Sequence, residues 1–301
     1  STGDTVVENA NEGTDMVFSD VSWTLGPNVE RLTLTGTANI DGTGNELPNY
    51  VREKDGTTLN RMGLPNGGID SIADIVRQLR QGSYAPFVRD KTVGISVAYE
   101  DPQSFSAILD RISAHTDVID TVEVNMSCPN LGVCGVKGVV GYDTFNIQLA
   151  CISVDAFCEK EHKMRVGLKL PPYFDTDMAN RVGHTISQSK GVSFITSCNS
   201  IPNLIADVQQ PLVMAGSGSS INKAVGLSNV YQMRRILPSR IAMYGCGGIR
   251  CATDVYDYIR AGADYVQLAS GFLADGDRGN DTIEMDIDKI NTLLMDMLER
   301  I

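Results

Sequence analysis

Several common functional signals are missing from this chain. Its 301 residues contain no run of Lys or Arg and carry a net charge of −12, so a nucleic-acid surface is not expected. No apolar stretch approaches the roughly 20 residues of a membrane-spanning helix, and no secretory signal is recognised. Histidine is scarce. His115, His162 and His184 fall in or at the ends of expected helices without metal-ligand spacing, so no metal site is expected. The seven cysteines (Cys128, Cys134, Cys151, Cys158, Cys198, Cys246 and Cys251) include no Cys-x-x-Cys pair. An odd count without framework spacing points to reduced thiols in a reducing compartment. The expected setting is cytoplasmic, or mitochondrial if a presequence once preceded Ser1.

What is present is enough apolar material for a sizeable core, with 42% hydrophobic and 21% charged residues. No internal repeat or linker marks a second compact domain. Residues 1–46 are irregular and rich in Gly, Asn, Thr and Asp, with short strands expected over Asp15–Trp23 and Arg31–Gly36. Leu47–Asp70 holds Pro48, Pro65 and several glycines and is expected to be an ordered loop system.

From Asp70 onward the pattern is regular. Helices are expected from a cap at Asp70 or Ser71 (apolar Ile72, Ile75, Val76, Leu79), from Asp101-Pro102 (Phe105, Ile108, Leu109, Ile112), and over Tyr142–His162, Asp177–Ser189, Leu227–Ile236 and Ala252–Ala261. Strands are expected at Thr92–Ala98, Val118–Met126, Arg165–Leu170, Val192–Ser197, Ile241–Tyr244 and Tyr265–Ala269. Ala215–Ser220 reads as a Gly/Ser loop, and Ile287–Ile301 as a closing apolar stripe. Such alternation demands parallel strands joined by crossover helices, and its length favours a closed α/β barrel of eight units over an open sheet.

Chemistry in such a barrel gathers at the C-terminal strand ends. Val122-Glu-Val-Asn-Met-Ser-Cys-Pro-Asn130 ends a strand at Pro129 and places Asn125, Ser127, Cys128 and Asn130 there. These amides, a hydroxyl and a thiol suit a polar planar ligand and the transfer of one proton. The alternative is a strand end with local turn bonds. Lys169, inside an apolar strand, needs an anionic partner or ligand. Gly245-Cys-Gly-Gly-Ile249, between strand and helix, can turn backbone N–H groups and the helix N-terminus toward a phosphate. Ala215–Ser220 and Ala269-Ser-Gly271 could complete that cradle; ordinary turn glycines are the alternative. Asn199 and Ser200 repeat the amide-and-hydroxyl theme, and Asn60 and Asn66 flank Met62-Gly-Leu-Pro65.

Asn60-Arg-Met-Gly-Leu-Pro-Asn66, Asn125-Met-Ser-Cys-Pro-Asn130, Gly167-Leu-Lys-Leu-Pro-Pro-Tyr-Phe-Asp175, Cys198-Asn-Ser-Ile201 and Gly245-Cys-Gly-Gly-Ile249 resemble, in order, the class 1A dihydroorotate dehydrogenases, with trypanosomatid and lactococcal members nearest. The resemblance runs from about Leu47 to the C-terminus. It implies a TIM barrel over residues 47–301 with FMN at its C-terminal mouth, dihydroorotate as substrate, orotate as product, and fumarate as acceptor in the same pocket. It implies Cys128 as the base and Lys169 as the cation beside the flavin. Asn60, Met62, Gly63, Leu64, Asn125, Pro129, Asn130, Asn199 and Ser200 would hold substrate. Asn60, Asn125, Lys169, Asn199, Gly216, Gly218, Gly247, Gly248 and Ser270 would hold the cofactor. A homodimer is implied as well.

The chain departs from that family in three places. Residues 1–46 are too short and polar for the usual first βα unit, and Thr35 falls where a lysine is expected. The segment Leu131-Gly-Val-Cys-Gly-Val-Lys-Gly138 replaces the usual Pro- and Lys-bearing lid. Serines replace two glycines in the loop ending at Ser220. These departures suit a second expectation, a catalytically weakened relative kept as a structural subunit of a hetero-complex.

Overall fold

The computed structural model describes residues 5–9, 15–35, 42–43, 50–52, 58–60, 68–82, 85–88, 90–127, 138–160, 163–207, 213–218 and 220–269. In chain order they form β1 (Met16–Ser19), β2 (Trp23–Thr24), β3 (Arg31–Leu34), β4 (Gly42–Thr43), β5 (Tyr50–Arg52), β6 (Thr58–Asn60), α1 (Ile72–Gln81), α2 (Ala85–Val88), β7 (Gly94–Ala98), α3 (Pro102–Ser113) and β8 (Thr121–Asn125). There follow α4 (Thr144–Cys158), β9 (Arg165–Leu170), α5 (Thr176–Gln188), β10 (Val192–Ser197), β11 (Ile201–Asp207), β12 (Val213–Gly218), α6 (Asn222–Arg234), β13 (Ala242–Cys246), α7 (Ala252–Ala261) and β14 (Tyr265–Gln267).

Helix starts are set by neighbouring carboxylates. Asp101 accepts from the N–H groups of Gln103 (2.9 Å) and Ser104 (3.0 Å), with Pro102 in the first turn of α3. Asp143 accepts from Phe145 N–H (2.9 Å), and Asp175 from Met178 N–H (2.6 Å). Each cap satisfies amides that a helix start leaves without a partner. The cap at Asp143 is why α4 begins at Thr144 and not at Tyr142.

Strands β7, β8, β9, β10, β13 and β14 form one parallel sheet in that order, with α3, α4, α5, α6 and α7 as the crossovers. The register sets Val122 beside Val166 and Asn125 beside Lys169. Because side chains alternate, Val122, Val124, Val166, Leu168, Leu170, Ile195 and Met243 share the face packed by Phe105, Leu109, Ile112, Ile147, Val154, Val182, Ile186, Val230 and Met233 in one buried core. The opposite face carries Glu123, Asn125, Lys169, Phe194, Thr196 and Tyr244.

The sheet curls strongly. Gln267 on β14 donates to Glu123 on β8 at 2.8 Å, although three strands lie between them in the sheet. A flat sheet, at about 4.8 Å per strand, would separate the two by roughly 19 Å. The Glu123 face is thus the concave inside of a TIM-barrel-like α/β fold, as the strand–helix alternation predicts. Aromatic rings fill part of it: Phe194 meets Tyr244 edge-on at 4.8 Å, and Tyr244 meets Tyr265 at 4.9 Å. Opposite Phe194 lies Gly167, where an added Cβ would come within 2.3 Å of the ring. Gly167→Ala is expected to destabilise the protein by about 1–3 kcal/mol through overpacking, read as a lowered midpoint in urea unfolding.

The second sheet runs β1-β3-β5-β6-β12-β11. Strands β1, β3 and β5 are parallel, and the remaining pairs are antiparallel. A separate small core of Val17, Leu25, Val29, Leu32 and Leu34, with Trp23 against it, supports β1 and β3. No helix joins these two strands, as the short polar connection requires. Among the described residues no ladder joins β1 or β3 to β7 or β14.

Three expectations are corrected. Ala215–Ser220 is not a loop, since Val213–Gly218 is a strand hydrogen-bonded to β6 and β11. Ile201–Asp207, with Pro202 near its start, is an unforeseen strand; it lies at the sheet edge, where a missing N–H is tolerated. The Leu47–Asp70 region contains the antiparallel pair β5–β6. The expected stripe Ile287–Ile301 lies outside the described residues.

Candidate functional site

At the C-terminal edge of the curled sheet, β8 ends in Asn125 and the chain after β10 supplies Asn199. The backbone N–H of Asn199 donates to Leu170 O at 2.9 Å, which seats it beside the end of β9. Asn125 Oδ1 accepts from Ser127 N–H (3.0 Å), Ser127 Oγ (3.0 Å) and Asn199 Nδ2 (3.2 Å). Asn199 Nδ2 also donates to Ser127 Oγ at 2.6 Å, while Asn199 Oδ1 accepts from Ser200 N–H at 2.8 Å. The local turn bonds and the cross-strand platform are therefore the same object. With Oδ1 of Asn125 used three times, its Nδ2 donor is the end that remains for a ligand.

Lys169 lies beside Asn125 in register, and Thr196 beside Lys169. One rung lower, Glu123 receives Ser96 Oγ (3.1 Å), Thr196 Oγ1 (2.6 Å) and Gln267 Nε2 (2.8 Å). The Lys169 ammonium is 3.8 Å from Glu123. Burial works against the Lys169 charge, while the surrounding Cys246, Glu123 and Cys198 hold its pKa above the ordinary lysine value, the two thiols contributing only where they are ionised. Burial also pushes the Cys198 and Cys246 thiols up. That keeps both neutral at neutral pH and leaves Glu123 as the anionic partner. Lysine burial is thus matched by a countercharge, as its position in an apolar strand requires.

The glycine-rich segments meet nearby. Gly216 pairs with Asn60 across β12 and β6, so the early motif and the expected phosphate loop are neighbours on one ladder. Asn222, at the first turn of α6, donates through Nδ2 to Ser217 O at 2.9 Å, while its buried Oδ1 has no hydrogen-bond partner. Gly247 and Gly248 have φ of 117° and 68°, which side-chain-bearing residues rarely adopt. A Cβ on Gly247 would lie 3.2 Å from Asn222 Cβ. Tyr258 Oη holds this turn from behind, donating toward Gly247 O (2.7 Å) and Cys246 O (3.1 Å).

Which helix faces the cradle differs from expectation. The N–H groups of Arg250 and Cys251 before α7 already donate to the Asp254 carboxylate, at 2.8 and 3.1 Å. The first turn of α6 has no side-chain cap and begins beside Gly218 and Gly247. Backbone N–H groups there, with the glycine turn, fit an anionic phosphate.

The structure therefore brings together Asn125, Lys169, Asn199 and Ser200 at one strand edge, and Gly216, Gly218, Gly247 and Gly248 at the adjoining cradle. Of Asn60 only the backbone position is described, and Met62, Gly63, Leu64, Cys128, Pro129, Asn130, Ser270 and the segment 131–137 lie outside the described residues. Glu123, Ser96, Thr196 and Gln267 were not foreseen as site residues. The available signal was a carboxylate at the inward parity of Thr-Val-Glu-Val-Asn, two positions before Asn125. Thr35 lies just past the C-terminal end of β3, exposed, where the resemblance expects a lysine. Among the described residues no helix is long and apolar enough to cross a membrane.

Comparison with known proteins agrees with this geometry. Residues 29–291 match the family model for dihydroorotate dehydrogenase. A Streptococcus agalactiae serotype Ia protein named dihydroorotate dehydrogenase A (fumarate) is 30% identical over 251 residues, spanning 81% of this chain and 76% of its own. A Streptococcus pyogenes serotype M3 protein of the same name is 31% identical over 252 residues, with the same coverage of 81% and 76%. The structure of an Eimeria tenella DHODH in complex with ferulenol superposes with a TM-score of 0.67 at 16% identity, covering 90% of this chain and 75% of that one, and so supports the fold. The parallel curled sheet, the motif order and these matches place the chain in the dihydroorotate dehydrogenase family, on its class 1A, fumarate-type side.

Proposed function

We propose that this protein oxidises dihydroorotate to orotate using FMN and passes the electrons to fumarate, with Cys128 as the base. The observation that carries this reading is Lys169, in register beside Asn125, together with the hydrogen-bonded amides of Asn125 and Asn199 at the C-terminal edge of the sheet. A flavin needs a cation near its electron-accepting edge, a polar clamp for substrate and a cradle for its phosphate. Lys169, the Asn125–Ser127–Asn199 platform, and the Gly247–Gly248 turn with the unpaired Asn222 Oδ1 fit those three demands.

Bound FMN supplies the acceptor for the hydride that leaves C6 of dihydroorotate. Cys128, as thiolate, takes the proton from C5 and later returns it to solvent. Asn125 and Asn199, with Asn60, Asn130, Ser200, Pro129 and the Met62-Gly-Leu64 backbone, orient the substrate ring. Lys169 offsets negative charge that develops across the site. Gly216, Gly218, Gly247, Gly248 and Ser270 hold the phosphate end. A homodimer and a cytoplasmic setting belong to the same proposal; the unframed cysteines support the reducing compartment.

Dihydroorotate added without oxygen is expected to bleach the visible absorbance of the FMN-loaded protein, and fumarate to restore it. Protein that takes up no FMN under any loading condition would sink this reading.

The exposed Thr35 at the end of β3, and the absence of a helix between β1 and β3, favour a second reading. In it the chain is a catalytically weakened relative that serves as a structural subunit of a larger, mitochondrial assembly. A defined hetero-complex by light scattering, together with flavin that dihydroorotate does not bleach, would favour that alternative.

A further inference from the structure

Glu123 on the concave face accepts hydrogen bonds from three other strands. The donors are Ser96 Oγ on β7 at 3.1 Å, Thr196 Oγ1 on β10 at 2.6 Å and Gln267 Nε2 on β14 at 2.8 Å. Gln267 Nε2 also donates to Thr196 Oγ1 at 3.2 Å, so the donors brace one another. A carboxylate held by three neutral donors on strands cannot swing to follow a flexible neighbour. The neighbour is Lys169, whose four-carbon stem would otherwise extend toward solvent. Its ammonium lies 3.8 Å from the carboxylate, beyond hydrogen-bond distance. The pull is therefore chiefly that of opposite charges at short range. The register sets Glu123 one inward position below Lys169, which places the anion beneath the ammonium and leaves the mouth side for a ligand.

We propose that Glu123 is the positioning residue for Lys169, a carboxylate clamped by Ser96, Thr196 and Gln267 that holds the ammonium at the mouth. The clamp itself stands on the geometry alone, and its effect on a bound flavin rests on the function proposed above. The charged or titratable groups facing Lys169 are Glu123 from β8, Cys246 from β13 and Cys198 after β10. Tyr244 is the further titratable group facing Glu123.

The test uses lysine labelled with carbon-13 at Cε, the Lys169 resonance being identified by its loss in Lys169→Met. In Glu123→Gln, nearly isosteric, the Lys169 pKa is expected to fall by about one unit or more, because burial persists while a charge that opposes it is gone. In Thr196→Val, which keeps both charges and removes one clamp, the Lys169 resonance is expected to shift or broaden. Neither measurement needs a flavin, so the positioning role is decided even if FMN binding fails and takes the functional reading with it. A Lys169 pKa and resonance at wild-type values in both variants would overturn the proposal. FMN affinity by flavin fluorescence supplies the second arm. Glu123→Gln is expected to weaken binding about tenfold in the wild-type background and to have no effect in Lys169→Met, because residues acting as one unit are not additive. An equal loss in both backgrounds would mean that Glu123 serves only the fold, and would overturn the proposal too.

Discussion

Replacing Cys128 by alanine is expected to slow reduction of the bound flavin by dihydroorotate about 10²–10⁴-fold, the usual contribution of a positioned base, while FMN affinity is unchanged. The proton on C5 of dihydroorotate is too weakly acidic to leave unaided, and hydride loss from C6 is productive only if that proton goes as well. The thiol follows β8 directly, two residues beyond the well-braced Met126, whose N–H donates to Lys169 O at 3.0 Å. Anaerobic stopped-flow absorbance measures the effect. The wild-type rate should rise with pH up to the thiolate pKa and then level off, because only the thiolate accepts the proton. Reduction of Cys128→Ala at the wild-type rate would place the base elsewhere.

The second large effect is expected for Lys169→Met, which keeps length and apolar stem and deletes the charge. Loss of one charged partner for the developing negative charge in a water-poor site costs on the order of 3–4 kcal/mol in the transition state. The flavin should also be harder to reduce, seen as a more negative midpoint potential. Thr35 stands where the family resemblance expects a second lysine, so the chain offers no lysine at that position to take over. The variant carries a further cost, because Glu123 keeps its three donors but loses its cation in a half-closed interior. Thermal melting separates the two effects: a lowered melting point reports Glu123, whereas the potential and reduction rate report the flavin side. A Lys169→Met protein with wild-type potential and reduction rate would remove Lys169 from the chemistry.

Much of the barrel was legible from local pattern. Arg165–Leu170, Val192–Ser197 and Ala252–Ala261 fall where alternation or helical spacing puts them, and Asp101 starts a helix as a short carboxylate does. Lys169 in an apolar strand announced a buried partner without saying which. The hairpin β11–β12 was not legible, because its ladder uses backbone groups that Gly216, Ser217 and Gly218 supply without any side-chain signature. That the helix start beside the glycine turn without a side-chain cap belongs to α6 was likewise not legible. That choice depends on where the Asp254 carboxylate points, which spacing does not reveal.

By itself the sequence determined the alternating elements, the parallel order they impose, and the strand ends carrying Asn125, Lys169 and Asn199. Those follow from side-chain periodicity, caps and turn residues, all of which act over a few positions. Only the tertiary structure decided that Ser96, Glu123, Lys169, Thr196 and Gln267 form one polar cluster and that Asn199 closes on Asn125 and Ser127. Residues as far apart as Glu123 and Gln267 meet because the twisted sheet curls, and curling is a property of all its strands together.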